Sequence, residues 1–133
     1  MSQWTHVAAI FRLNSFGRIE DDVITKIFGK EVPYENMNDS YFDDNGNQAD
    51  KDKYLPLGSE GSLDISIWHN PSKSSLASTT VSVFGDLRDY DSFTDIEKWF
   101  NKCCNSAWIR QAVCTVNVEF LGTKVFNYDD ADV

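Results

Sequence analysis

The chain has little that would fix it to a chemistry. Its 133 residues include only three cysteines, Cys103, Cys104 and Cys114. The number is odd, two are adjacent, and no C-x-x-C occurs, which excludes a secreted disulfide framework. No apolar run nears the roughly 18 residues a membrane span needs. The opening stretch, Met1 to Arg12, lacks a basic region followed by an apolar one, so no signal peptide is expected. A reducing cytoplasm is the expected location. Basic side chains are also few, 12 against 21 acidic ones, for a formal net charge of −9. That field repels phosphate backbones and argues against direct nucleic-acid binding. It suits a basic partner surface. No G-x-S-x-G, H-E-x-x-H, phosphate loop or dinucleotide fingerprint occurs. No catalytic residue, cofactor or metal is assigned, and a non-enzymatic role is expected.

What is present is periodicity, enough for one domain. Hydrophobic residues make up 41% of the chain and aromatics 14%, so a real core is expected rather than disorder. Trp4 to Leu13 alternates like a pleated strand. Ile19 to Phe28 places Ile19, Val23, Ile24, Ile27 and Phe28 on one helical face. Glu31 to Gly61 is a long acidic loop, which Tyr34, Tyr41, Phe42, Tyr54, Leu55 and Leu57 would pin to the body. Loops of this length in a compact domain tend to be functional. Ser62 to His69 and Leu76 to Phe84 read as a strand pair, with a turn at Gly85–Asp91. Thr94-Asp95-Ile96-Glu97 has the form of a capping box, and Ile96, Trp99, Phe100 and Cys103 form a buried helical stripe. Ile109 to Phe120 reads as strand four, and Lys124 to Tyr128, after a turn at Gly122 and Thr123, as a short fifth. The order predicts an α+β domain of ferredoxin-like βαββαβ type. Its antiparallel sheet would have four strands plus a short extra C-terminal one, with both helices on one face.

Three surfaces stand out. The uncovered sheet face would carry Trp4, His6, Arg12, Trp68 and Glu119, a candidate ligand or homodimer face. The acidic loop gathers Asp39, Asp43, Asp44, Asp50 and Asp52; its spacing fails the EF-hand test, because no Asp, Gly and Glu fall at positions 1, 6 and 12. The Gly85–Asp91 turn adds Asp86, Arg88, Asp89 and Asp91, which would form either an internal ion-pair network or a recognition loop. Cys103 and Cys114 occupy apolar positions and read as small core residues.

Three stretches, Trp4-Thr5-His6-Val7, Gly58-Ser59-Glu60-Gly61-Ser62-Leu63 and Phe84-Gly85-Asp86-Leu87-Arg88-Asp89-Tyr90, resemble small uncharacterised proteins encoded by tailed phages and prophages of bacteria. The resemblance covers most of the chain except Asn36–Lys53. That group has no assigned activity, so the resemblance implies context only: a small accessory protein made inside a bacterial host. With the acidity, it suggests an inhibitor of bacterial defence, anti-CRISPR-like, that binds a basic, nucleic-acid-handling host protein. The alternative is a homo-oligomeric module that binds a small nucleotide signal, with its pocket near Trp4, His6, Arg12 and Trp68.

Overall fold

The computed structural model describes residues 3–29, 55–56, 60–71, 76–89, 93–106 and 108–130. Along the chain lie β1 (Trp4–Phe16), α1 (Asp21–Phe28), β2 (Leu63–His69), β3 (Leu76–Arg88), α2 (Phe93–Cys104), β4 (Ile109–Val118) and β5 (Gly122–Asp129). The strands form one antiparallel sheet in the order β2-β3-β1-β4-β5. This is an α+β architecture with five strands, so the expected four-stranded βαββαβ order is not matched as such. β5 pairs with β4 from Gly122 to Asp129, longer than the short strand expected. Gly122 and Thr123 belong to it, and the turn lies earlier, at Glu119–Leu121.

β1 occupies the centre because it alternates over its whole length. Val7, Ala9, Phe11 and Leu13 are buried, while Ala8, Ile10 and Arg12 are exposed. It runs to Phe16, through Asn14 and Ser15 and beyond the expected end at Leu13, because β3 pairs with it all the way from Trp4↔Arg88 to Phe16↔Leu76. Tertiary pairing here outweighs the weak strand propensity of Asn and Ser. On the other side β4 pairs with one irregularity: Arg12 faces Gln111 but Leu13 faces Ile109. The extra residue, Arg110, lets both Ile109 and Ala112 point inward.

Both helices sit on the face of β1 that carries Phe11. The Phe11 ring lies 4.7 Å from that of Phe28 on α1, and 5.7 and 5.5 Å from those of Trp99 and Phe100 on α2. α1 starts with Asp21 and Asp22, ends with Lys26, and buries Ile24 and Phe28; charge at both ends complements its dipole. Ile19, expected inside the helix, lies before it but is buried. α2 begins at Phe93, so Thr94 sits in the first turn rather than ahead of it. The helices are fastened to each other: the Trp99 indole donates to the Phe28 carbonyl (2.9 Å) and the Cys103 thiol to that of Ile27 (3.7 Å). His69 ties β2 to α1 through Asp21 (2.8 Å). Leu55 is buried in the same core. Among the described residues, no helix is long and apolar enough to cross a membrane.

Candidate functional site

With both helices on one side, the opposite face of the sheet is left to the even-numbered residues of β1 and the residues paired with them. Directly opposed residues of antiparallel strands share a face, so the face reads as rows. Asp86, His6 and Asn117 form one row; Asp64, Phe84, Ala8, Thr115 and Val125 the next. Then come Ser66, Ser82, Ile10, Val113 and Asn127, and finally Trp68, Thr80, Arg12, Gln111 and Asp129. Exposed apolar side chains run across its middle: Phe84 (46%), Ile10 (52%), Val113 and Val125, with Trp68 (55%) at one corner. No described helix covers this face.

The expected face residues are all on it or at its rim, but they form two groups. Trp4, His6 and Glu119 lie at one end, Arg12 and Trp68 at the other, and six residues of β1 separate His6 from Arg12 by about 20 Å. Within one chain, Trp4, His6, Arg12 and Trp68 therefore do not converge on a single pocket. Of those four, only Arg12 lines the depression on this face, about 460 Å³, together with Ile10, Thr80, Gln111, Val113 and Asp129. Among the described residues, Arg12 has no ion-pair partner.

The other end is densely bonded. The His6 Nδ1 lies 2.6 Å from Asp86 Oδ1, and Nε2 lies 3.4 Å from Glu119 Oε2. A ring with a carboxylate at each nitrogen favours the imidazolium, and its pKa is raised above 6.5, chiefly by the Asp86 bond. Glu119 also accepts from the Trp4 backbone N–H at Oε1 (2.9 Å), and its own N–H donates to the Trp4 carbonyl (3.0 Å). Arg88 bridges Glu60 (2.7 Å) and approaches Asp89 (3.8 Å). Of the Gly85–Asp91 stretch, residues through Arg88 are strand rather than turn. Asp86 accordingly belongs to the sheet face, while Arg88 and Asp89 mark its end. Asp39, Asp43, Asp44, Asp50, Asp52 and Asp91 lie outside the described residues.

Parts of three stretches, Trp4–Val7, Glu60–Leu63 and Phe84–Asp89, meet here. Gly61 sits against the Asp86 carbonyl and the Trp4 ring. Val7, Gly85 and Leu63 lie side by side in β1, β3 and β2. Gly85 allows this approach, since a Cβ there would lie 2.6 Å from the Ser62 carbonyl oxygen.

Phe120, expected at the end of strand four, lies outside it. β4 stops at Val118, and the Leu121 N–H bonds back to the Val118 carbonyl (2.9 Å), closing a turn. Phe120 is its third residue and has φ +71°, a position that usually takes Gly or Asn. Phe120 is 78% exposed and Leu121 61%. The Phe-Leu pair preceding a glycine was the available clue.

Cys103, Cys104 and Cys114 are all buried free thiols. Burial pushes Cys104 and Cys114 up to about 12 and Cys103 higher still, which suppresses the thiolate a nucleophile or metal ligand requires. Among the described residues, no group of three or more His, Cys, Asp and Glu side chains is arranged to hold a metal ion. No protein-family model, curated protein or solved structure matches the chain.

Proposed function

We propose that this chain is a non-enzymatic accessory protein that binds a basic host protein through the β4–β5 tip and the acidic sheet end beside it. The observation that carries the reading is the Phe120–Leu121 tip. Two large apolar side chains stand in solvent on a turn that holds a phenylalanine in a left-handed conformation. Backbone strain of this kind costs on the order of 1 kcal/mol and is concentrated at functional sites. Exposed aromatic anchors ringed by polar groups are the usual form of a binding hot spot. Glu119 adjoins the tip, and across β1 at the same end of the sheet lie Asp86 and Arg88, the latter with Glu60 and Asp89. Carboxylates outnumber cations at this end even with His6 protonated, a field that steers a basic surface toward it.

The phage-like resemblance supports a bacterial host interior and a counter-defence role, with a nucleic-acid-handling protein as the target. The first six elements are read as a ferredoxin-like unit widened at one edge by β5. The chain used as bait in a bacterial lysate, followed by binding to the purified prey, tests the reading. A basic protein captured by the native chain should be lost with Phe120→Gly plus Leu121→Ser, and weakened by Glu60→Gln plus Asp89→Asn. Asn at 89 tolerates the φ of +57° found there. Undiminished binding by the tip variant would remove the tip from the function.

A further inference from the structure

We propose that the helix-free face of the sheet is a self-complementary interface, on which a second copy of this chain packs about a two-fold axis. The proposal rests on different observations from the partner-binding tip, which projects beyond the end of this face, although Asp86 and Glu119 border both surfaces. It rests on how charge and side-chain size are distributed along the rows.

An isologous interface needs an apolar centre on the axis and opposite charges at equal distances either side. The face has both. The point midway between His6 and Arg12 on the central strand is Ala9, and the rows flanking it are those of Ala8 and Ile10. An axis running across the strands at that level lays β1 antiparallel over β1 of the second copy. Each row then meets its mirror row. Ile10 falls over Ala8 of the other copy, and Phe84 falls over Ser82, so large side chains meet small ones. Arg12, which has no ion-pair partner among the described residues, falls over the His6 row, where the carboxylates of Asp86 and Glu119 together outweigh the imidazolium they hold between them. The same contact is made twice, and no carboxylate meets a carboxylate.

The extent of the face agrees. Five strands about 4.8 Å apart, over the eight residues from His6 to Leu13, make a surface roughly 20 by 26 Å. That is on the order of 500 Å² in projection, comparable with one side of a standard interface of about 800 Å² accessible area. The net charge of −9 opposes association at long range. The apolar rows must therefore carry the affinity, and the Arg12 contacts set the register.

Light scattering coupled to size exclusion, over a range of concentrations, reads the outcome. The native chain should be a dimer that dissociates on dilution. Arg12→Asp and Asp86→Arg should each raise the dissociation constant by roughly 30-fold or more, since each brings like charges together twice. Mixed in equal amounts they should recover the dimer, because the mixed pair restores two opposite-charge contacts. Ile10→Thr, which keeps a β-branched residue on the strand, should weaken the dimer without affecting the far-UV circular dichroism spectrum. A native chain that stays monomeric at several hundred micromolar overturns the proposal. So do variants that remain dimeric, a mixture that remains monomeric, or a monomer whose residues 30–54 protect this face.

Discussion

At the scale of single residues, the sheet end depends on atoms that are missing. Gly61 has φ +76°, and a Cβ there would lie 2.1 Å from the Asp86 carbonyl oxygen. No rotamer relieves a backbone clash, so Gly61→Ala should cost roughly 2–4 kcal/mol in chemical denaturation, the sum of steric displacement and left-handed strain. A loss under about 0.5 kcal/mol would mean that the loop before β2 shifts freely. His6 leaves a different signature. Its pKa is raised in the fold, so its stabilisation is full below 6.5 and declines as pH rises through the folded value. The ring is 43% exposed, and screening holds the effect below about 1 kcal/mol. Thermal melts from pH 5.5 to 8 should show this decline, and His6→Gln should flatten it. An NMR titration midpoint below 6.5 would contradict the geometry.

At the scale of elements, Phe11 joins β1 to both helices through three aromatic rings. Phe11→Ala should cost about 3–5 kcal/mol, a large share of the 5–15 kcal/mol typical of a domain, measured by urea unfolding. An unchanged midpoint would separate the helices from the sheet energetically. The Phe120 turn behaves in the opposite way. Phe120→Gly removes left-handed strain while adding chain entropy to the unfolded state, and the two offset within about 1 kcal/mol. Binding and stability should therefore part at this residue, which a melting curve beside a binding isotherm will show. These cases also mark what the sequence made legible. Strong alternation in β1, β2 and β4 and the stripes of Ile24–Phe28 and Ile96–Phe100 announce themselves, because burial on one face imposes a period. The extension of β3 through Gly85 to Arg88 does not, because glycine and aspartate are poor strand formers and only the partner strands recruit them. For the same reason the start of β5 at Gly122 reads as a turn. Alternation alone also puts Trp4, His6, Arg12 and Trp68 on one side of the sheet. Their division into two ends follows from strand length, which alternation does not encode.

At the scale of the whole molecule, the two proposed surfaces combine. A two-fold dimer on the helix-free face would point its two Phe120 tips in opposite directions, about 40 Å apart from strand rise alone. Such a dimer should bind a partner with 2:2 stoichiometry, or bridge two sites on one large partner with a gain from avidity. Mass photometry distinguishes these from a 1:1 complex, which would argue that tip and face are not used together. The placement of β1 has a separate consequence, for synthesis. β1 is made before its sheet neighbours β3 and β4, which begin at Leu76 and Ile109, and it is the middle of the sheet. A growing chain holds β1 with neither flank paired until most of its length has left the ribosome. Folding should accordingly be slow for its size, as non-local pairing demands, and until β3 and β4 emerge the nascent chain offers β1 unpaired to whatever chaperone is nearest.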